Sequence, residues 1–345
     1  MLRSLEIQNF KGIKQGKIED LAQVNILVGR NNSGKSTILD ALVLLRCGLV
    51  GMDYLNIDGL DQIIKRRVDR GQVDYSELWF RMDTAAPIFI SVELAGGAKV
   101  TEEWERGLNG MIRWNSSSAD IGKNGNSPRN RVVTRALQGL RDTLGEAETA
   151  GLGLIHLVDA LGIHYPFAEK LFADLVKDRK DDKVRQILEM VYGIQINYIT
   201  AMRFPEKERL VAALPHAGVA VDWLGDGFRY AVNILALGVL LKGTALLVEE
   251  LETHQHPESL RKLTEALFEL AKQQDLQLFL TTHSLELIDN AMEASQERGI
   301  DLKLHHLSLD NEGTLRVTSM SQPDAKLLLD IGHDPRMHYK YIGTK

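Results

Sequence analysis

The stretch that decides the fold of this 345-residue chain is Gly29-Arg30-Asn31-Asn32-Ser33-Gly34-Lys35-Ser36-Thr37. It follows the pattern G-x-x-x-x-G-K-[S/T], in which glycines let the backbone bend tightly and lie close to a phosphate chain. The helix that follows adds unpaired N–H donors and the positive end of its dipole. We therefore expect a phosphate-binding loop, with Lys35 at the β- and γ-phosphates and the Ser36 hydroxyl on Mg²⁺.

The residues on either side of this loop provide the context that the motif needs. Val24 to Val28 is a short apolar run typical of a buried strand, and Thr37 to Leu45 has a helical pattern. Strand, glycine-rich loop and helix, in this order, form the known phosphate-binding unit. The sequence therefore predicts an α/β fold organised around the loop.

Composition and charge narrow the class of protein. Hydrophobic residues make up 44% of the chain and charged residues 26%, which suits a packed globular core. The single cysteine, Cys47, excludes an internal disulfide, and no apolar run is long enough for a signal segment or a membrane span. We expect a cytoplasmic protein. Its net charge of −6 argues against a surface that binds nucleic acid everywhere, although a local basic patch remains open.

Further elements are predicted along the chain. Leu2 to Phe10 alternates as a half-buried strand does, and Ile13 to Ile18 could pair back on it. Additional strands are expected at residues 76–82, 87–94, 99–105 and 110–114. Residues 115–130, rich in Ser, Asn and Gly, predict a long loop. Helices are then expected at residues 131–148, 152–163, 166–176 and 183–192.

Polar groups follow two apolar strands in the second half of the chain. Thr244 to Val248 leads to Glu249 and Glu250, and Leu276 to Thr281 leads to His283. Folds of the α/β class place their sites at the carboxyl ends of parallel strands. One acid can hold the water shell of Mg²⁺ and the next can orient or deprotonate an attacking water, while the histidine can hydrogen-bond a γ-phosphate.

Two other features carry weaker signals. Leu224 to Arg229, LGDGFR, is a glycine-rich turn that opens a helix, which is a second candidate anion site. His254 and His256 have a spacing that could suit a metal, but nothing near them in the sequence completes a set of ligands. We therefore give weight to the first feature only in combination with the other motifs.

In this order, GRNNSGKST, LGDGFR, LLVEELETHQHP and TTHS resemble the ABC-type ATPases of the SMC, RecF and OLD group. The opening LRSLEIQNFKGIK resembles the N-terminal strand of that group, and the likeness covers about residues 1–50 and 220–335. It implies a P-loop ABC-type ATPase head with an N-terminal antiparallel β region and a helical insertion. We expect a first ATPase lobe at 1–114, a loop with a helical insertion at 115–193 and a second lobe at 194–345.

The resemblance also implies site residues, with ATP and Mg²⁺ as cofactors. Glu250 would be the catalytic glutamate and His283 the switch histidine, while Ser36 and Glu249 would hold the metal. The nucleotide contacts within one chain would be Lys11, Gly29, Asn31, Asn32, Ser33, Gly34, Lys35, Ser36 and Thr37. The nucleotide of a second protomer would be contacted by Gly225, Asp226 and Gly227.

Three departures from the group put turnover, rather than binding, in doubt. Glu249 replaces the usual aspartate and is one methylene longer, and Gly225 replaces the signature serine. The Q-loop glutamine is undecided between Gln62 and Gln72.

Two function classes follow from the resemblance. We expect an ATP-hydrolysing switch that dimerises on ATP and controls a separate effector, such as a nuclease or toxin, in phage defence or DNA maintenance. The alternative is a nucleotide-binding regulatory scaffold with negligible hydrolysis. Direct nucleic-acid binding also remains open, because basic residues cluster at Lys65, Arg66, Arg67 and Arg70 and at Lys123, Arg129, Arg131 and Arg135.

Overall fold

The computed structural model describes residues 1–50, 59–65, 74–107, 112–118, 152, 155–159, 167–205 and 208–337. The strands are β1 Leu2–Phe10, β2 Ile13–Ile18, β3 Val24–Val28, β4 Ile88–Leu94, β5 Lys99–Arg106, β6 Ile112–Ser118, β7 His156–Val158, β8 Tyr198–Arg203, β9 Glu208–Ala213, β10 Gly218–Ala220, β11 Ala245–Glu249, β12 Gln277–Thr281, β13 Leu302–Leu309 and β14 Leu315–Ser321. The helices are α1 Lys35–Val50, α2 Gly59–Lys65, α3 Phe167–Lys177, α4 Asp181–Tyr192, α5 Asp226–Leu240, α6 Pro257–Gln274, α7 Leu285–Arg298 and α8 Gln322–Asp330.

An antiparallel sheet of order β2-β1-β4-β5-β6 forms the N-terminal region, as the sequence predicted. β1 and β2 make the expected hairpin, in which Phe10 pairs with Ile13. β6 continues to Ser118, so the first residues of the predicted long loop belong to a strand. The remainder of that loop, the predicted helix at 131–148 and most residues of the two basic clusters lie outside the described residues.

The strand predicted at 76–82 is wrong, because this segment forms two short 3₁₀ helices, Tyr75–Leu78 and Phe80–Met82. The Asp74 carboxylate accepts a hydrogen bond from the backbone N–H two residues later and so caps the first of them. A side-chain cap of this kind gives the backbone a partner that competes with strand pairing.

A second sheet, of order β14-β13-β3-β12-β11-β7, is parallel except for β14. In register, Leu27 of β3 lies beside Thr281 of β12, which lies beside Glu249 of β11. The phosphate loop, the two glutamates and His283 all follow these strand ends. The parallel sheet therefore brings the predicted site residues to one edge.

The helix predicted at 152–163 is also wrong, at residues 156–158. His156–Val158 is instead the strand β7, which pairs with β11 at the margin of the parallel sheet. All three of its residues are buried. A short apolar run that is buried on both faces cannot be told from a helical segment by its periodicity.

Two hydrophobic cores lie on opposite faces of the parallel sheet. On one face, α1 and the antiparallel sheet cover Leu27, Leu247 and Phe279. On the other face, α5 and its neighbouring helices cover residues such as Ile26 and Val248. The helices α3 and α4 confirm the helices predicted at 166–176 and 183–192, and both pack on α5. The division of the chain into two lobes and an insertion stays a prediction. In the described part of the chain, no helix has the length and apolar character needed to span a membrane.

Candidate nucleotide-binding site

The phosphate loop joins the end of β3 to the start of α1. Gly29 and Gly34 have φ angles of 149° and 95°, which favour glycine. A Cβ atom at Gly29 would lie only 2.4 Å from the carbonyl oxygen of Leu307 on β13. The neighbouring strand therefore fixes the path of the loop and requires glycine at its first position.

Lys35 is the first residue of α1 and turns its ammonium group back onto the loop. Its Nζ donates to the carbonyl oxygens of Gly29 at 3.0 Å and Arg30 at 3.1 Å, and the residue is 7% exposed. Burial lowers the pKa of Lys35, and the carboxylate of Glu250, with two neighbouring glutamates, raises it in part. The ammonium is thus largely desolvated and lies within the field of the carboxylates that follow β11.

A cavity of about 440 Å³ opens beside the loop. Its polar side consists of residues 32–37, and its apolar side includes Ile63, Ile64, Leu78 and Leu309. A polar cradle that continues into an apolar wall matches the two chemical halves of a nucleotide, a phosphate chain and an aromatic base.

Lys11 also lines this cavity, and it is held in place by an ion pair. Its Nζ lies 2.6 Å from Oδ2 of Asp40, whose side chain is fully buried on α1. The pair ties the end of β1 to the helix after the phosphate loop. The structure therefore places Lys11 at the cavity wall, and its contact with a nucleotide stays a prediction.

The two glutamates at the end of β11 are held by backbone contacts to β12 and by a tyrosine. Glu250 has a positive φ of 52°, and its N–H donates to the carbonyl oxygen of Thr281 at 3.0 Å. The hydroxyl of Tyr230 donates to the carbonyl oxygen of Glu249 at 2.5 Å. Burial, together with carboxylates that include Asp159, raises the pKa of Tyr230 well above its usual value, so this hydroxyl keeps its proton.

His283 lies beside the same groups. Partial burial and the charge of Lys35 lower the pKa of His283, with a further lowering by Arg336, while Glu250 and Glu252 raise it in part. Electrostatic coupling of this kind requires proximity. The structure thus brings together the predicted cation, the predicted base and the predicted switch histidine.

The residues around the loop fit a Mg²⁺–nucleotide complex. The Ser33 hydroxyl is buried and has no hydrogen-bond partner among the described residues, which leaves it available to a phosphate oxygen. Among the described residues, the hydrogen bonds of the desolvated Lys35 ammonium go to the neutral carbonyls of Gly29 and Arg30. Ser36 and Glu249 supply the hydroxyl and carboxylate oxygens that Mg²⁺ prefers. These two residues could hold the metal with the phosphates and water as its other ligands.

The predicted signature segment opens α5. Gly225 is the N-cap, with φ of 95°, and a Cβ atom at Gly227 would lie 2.3 Å from the carbonyl oxygen of His254. Tyr192 and Gln255 both donate to the carbonyl oxygen of Gly227, at 2.8 and 2.9 Å. This packing couples the start of α5 to the turn after the glutamates.

The exposed side of this segment holds the two remaining candidates. Gly225 and Asp226 are exposed, and Asp226 pairs with Arg229 at 2.8 Å. Beside them, Trp223 is 79% exposed. A contact between this segment and a nucleotide stays a prediction.

Neither glutamine candidate is established as a Q-loop residue. Gln62 is buried on α2, where its amide donates to the carbonyl oxygen of Leu157 and accepts from Arg46. Gln72 lies outside the described residues. The residue that follows β7, whose last residue Val158 pairs with Val248 of β11, is the buried Asp159.

Of the two histidines with metal-like spacing, one has another role in the described structure. His256 is the N-cap of α6, where its Nδ1 accepts from the backbone N–H of Glu258. Among the described residues, no group of three or more His, Cys, Asp and Glu side chains could hold a metal ion.

Comparisons with known proteins agree with this geometry. Residues 1–67 match the family described as an AAA ATPase domain. Residues 203–289 match a family described as an AAA domain, putative AbiEii toxin, type IV TA system. The two matched ranges contain the phosphate loop and the segment from the signature motif to His283.

Two relatives show how far the sequence likeness extends. The uncharacterized protein MJECL11 of Methanocaldococcus jannaschii is 38% identical over 92 residues, which are 27% of this chain and 81% of that protein. The DNA replication and repair protein RecF of Lachnoclostridium phytofermentans is 25% identical over 143 residues, which are 40% of this chain and 39% of that protein. The chain thus spans well under half the length of this RecF.

Across nearly the whole chain, the fold is similar to that of an SMC head domain with an extended coiled coil, bound to the C-terminal domain of ScpA derived from Pyrococcus furiosus. The superposition has a TM-score of 0.57 at 12% identity and covers 96% of this chain and 98% of that one. The chain belongs to the SMC/RecF-like ABC-type ATPases. The predicted group and the predicted α/β head with its antiparallel β region are confirmed.

In this SMC/RecF-like ATPase, the sequence did not point to several residues that support the site. Tyr230 and Tyr192 hold backbone carbonyls, and Glu252 and Arg336 contact the peptide of His283. For Glu252 the sequence does offer a signal, because it lies in LLVEELETHQHP only two residues after Glu250. Nothing in the local sequence connects Arg336 to a histidine 53 residues earlier.

Proposed function

We propose that this SMC/RecF-like ATPase binds ATP with Mg²⁺ in the cavity beside the phosphate loop and hydrolyses it. The observation that carries the proposal is the parallel register, which brings the strand ends before the phosphate loop, Glu250 and His283 to one edge of the sheet. The effects of Lys35, Glu250 and His283 on one another's pKa agree with this arrangement. Phosphoryl transfer asks little covalent chemistry of a protein and depends on positioning and electrostatics. These three groups supply a cation, a base and a polar contact.

The binding step would use both sides of the cavity. The loop N–H groups, the Ser33 hydroxyl and the Lys35 ammonium would hold the phosphates, because each is a donor that faces the loop. Ile63 and Leu78 would pack against the base. Ser36 and Glu249 would hold Mg²⁺, which when bound neutralises charge on the phosphate oxygens.

The hydrolytic step would depend on Glu250 and His283. The positive φ of Glu250 and its N–H bond to Thr281 turn this residue away from the line of β11. Its carboxylate could then accept a proton from the attacking water, while the His283 imidazole would donate to the γ-phosphate. The additional methylene of Glu249 would alter the distance to the metal rather than remove the ligand.

A charge-neutral variant of the base tests this proposal. We expect wild type to release phosphate from ATP, and Glu250→Gln to bind ATP with unchanged affinity and to lose about a hundredfold or more in turnover. Glu269→Gln, an exposed change on α6, is the matched control and should hydrolyse ATP at the parental rate. Parental turnover in Glu250→Gln would show that Glu250 is not the base.

We also propose that ATP joins two copies of the chain. Gly225, Asp226 and the 79% exposed Trp223 form a surface at the start of α5 that a second copy and its nucleotide could cover. Light scattering of Glu250→Gln with ATP should give a mass near twice 38.6 kDa. Trp223→Ala in the same background should bind ATP and remain a monomer. A monomer for Glu250→Gln at high protein concentration would contradict this interface.

The output of the ATP-driven dimer is proposed to be a separate effector, such as a nuclease or toxin, or a nucleic acid. The likeness of residues 203–289 to a family described with a putative toxin supports a place in defence. The likeness to an SMC head that binds ScpA supports a protein partner. A scaffold without hydrolysis is the second candidate, favoured by Glu249 and Gly225, and wild type that binds ATP but releases no phosphate would support it.

A further inference from the structure

The peptide groups on both sides of His283 are held by side chains from distant segments. The Glu252 carboxylate accepts the His283 N–H at 2.9 Å and the Thr282 hydroxyl at 2.7 Å through the same oxygen. On the other side, the Arg336 guanidinium donates to the His283 carbonyl oxygen. The backbone of His283 is therefore hydrogen-bonded to side chains at both its N–H and its carbonyl oxygen.

The Arg336 contact is itself supported. Its guanidinium makes a two-point ion pair with Asp334, with distances of 2.9 and 2.7 Å. These residues lie in the segment after α8, where Pro335 is buried and anchors a short 3₁₀ helix, Pro335–Met337. A bidentate pair fixes the plane of a guanidinium, so the remaining donors point in a set direction.

The His283 side chain, in contrast, is exposed and makes no hydrogen bond with the described residues. Its direction is therefore set by its backbone and not by packing of the ring. A catalytic group must be held within a fraction of an ångström, and an error of about 1 Å can cost about a hundredfold in rate.

We propose that Glu252 and Arg336 are positioning residues, which aim the His283 imidazole by clamping its peptide. Through Arg336, the segment 331–337 after α8 takes part in the site although it is remote from it in sequence. Glu252 lies two residues after Glu250, so the clamp also ties the histidine to the turn that carries the proposed base. This inference rests on the proposed hydrolysis of ATP.

A competing explanation is that Arg336 merely anchors the end of the chain. Lys326 provides a matched control, because it ties α8 to α7 through Asp289 at 2.7 Å and does not touch His283. Lys326→Ala should loosen the same C-terminal region and leave the clamp intact. The two variants therefore separate anchoring from positioning.

The test has one readout on the protein alone and one on turnover. Hydrogen–deuterium exchange of the nucleotide-free protein should rise at residues 282–287 in Arg336→Ala and Glu252→Ala, and should not rise there in Lys326→Ala. In Arg336→Ala and Glu252→Ala, kcat should also fall about ten- to hundredfold with little change in KM. Glu252→Gln should recover part of the loss, because its amide oxygen can still accept one hydrogen bond.

Contrary results are equally specific. Unchanged exchange at 282–287 together with an unchanged kcat in Arg336→Ala and Glu252→Ala would overturn the clamp, as would an equal fall in kcat in Lys326→Ala. Wild type that does not hydrolyse ATP would overturn the proposed function. The exchange experiment alone would then test whether Glu252 and Arg336 hold the peptide of His283.

Discussion

The phosphate loop and the turn that carries His283 share one edge of the parallel sheet, but they are held in different ways. Lys35 bonds to carbonyls five and six residues away, within the loop that it closes. The peptide of His283 bonds to side chains that are 31 and 53 residues away. One region is therefore stabilised by its own sequence and the other by the docking of separate segments.

This difference has a consequence for how the two regions respond to change. The hydrogen bonds of Lys35 close the loop on itself, and the packing of Gly29 against β13 adds a contact with a remote element. The His283 turn requires the turn after β11 and the segment after α8 as well. Segments with few buried apolar contacts open at lower free energy than the core, and the exposed turn at His283 is such a segment, which suits a switch.

The largest effect is expected at the loop. Lys35→Ala should weaken ATP binding about a hundredfold, since hydrogen bonds to charged groups are worth about 1.5–3 kcal/mol each. Isothermal titration measures this loss, and Lys14→Ala, an exposed lysine on β2, is the control that should bind as wild type does. Parental affinity in Lys35→Ala would break the assignment of the loop as the phosphate site.

A smaller effect of a different kind is expected at the turn. His283→Ala should keep ATP affinity and lower kcat about ten- to hundredfold, because a single polar contact to the γ-phosphate is lost. Steady-state kinetics would show the change in kcat, and titration would show the unchanged affinity. A loss of binding as large as that of Lys35→Ala would mean that both regions act in binding and would remove the contrast between them.

The same contrast explains which parts of the site could be predicted from the sequence. Gly29, Lys35 and the strand before them form a local pattern with a fixed order, so the loop and the α/β fold were predicted and the fold is confirmed. Glu249, Glu250 and His283 were placed at strand ends, and the parallel register brings those strand ends together. The assigned roles of these residues stay predictions until they are measured.

Contacts between distant segments could not be predicted. Arg336 meets His283 only because the segment after α8 folds back onto the sheet edge. The sequence predicts a helix in place of β7 because His156–Val158 is buried on both faces and shows no alternation. The sequence predicts a strand at the 3₁₀ helix Tyr75–Leu78 because its residues alternate, but the Asp74 cap outweighs alternation over so few residues.

A buried histidine on β13, His305, should make stability depend on pH. Burial lowers the pKa of His305 to about 4, and its ring bonds Ser319 at 2.8 Å and Asn25 of β3 at 3.1 Å. The folded protein holds the His305 ring in its neutral form. The ring's contribution to the free energy of unfolding is therefore complete above the ordinary pKa of about 6.5 and is lost as the pH falls towards 4. The loss is about 3 kcal/mol over that window.

Urea unfolding at several pH values measures this loss. The difference between wild type and His305→Gln should shrink as the pH falls from about 6.5 to 4, because glutamine does not titrate. His216→Gln, a change at an exposed histidine on the turn after β9, is the control and should keep the slope of wild type. If the free energy of unfolding had the same pH dependence in His305→Gln and wild type, His305 would not be the source of that dependence.

The smallest effect separates backbone strain from crowding at the loop. Gly29 and Gly97 both have positive φ, but a Cβ atom at Gly29 would lie 2.4 Å from the Leu307 carbonyl oxygen, while one at Gly97 would meet nothing within 4 Å. Gly97→Ala should therefore cost only the strain of its φ angle, about 1–2 kcal/mol of the free energy of unfolding. Gly29→Ala should cost more, because the strand β13 or the loop must also move, and it should weaken ATP binding as well. Urea unfolding and ATP titration of Gly29→Ala and Gly97→Ala measure the two costs. If both variants lost the same stability and bound ATP as wild type does, the loop would tolerate displacement. The phosphate loop would then be no more rigid than the His283 turn.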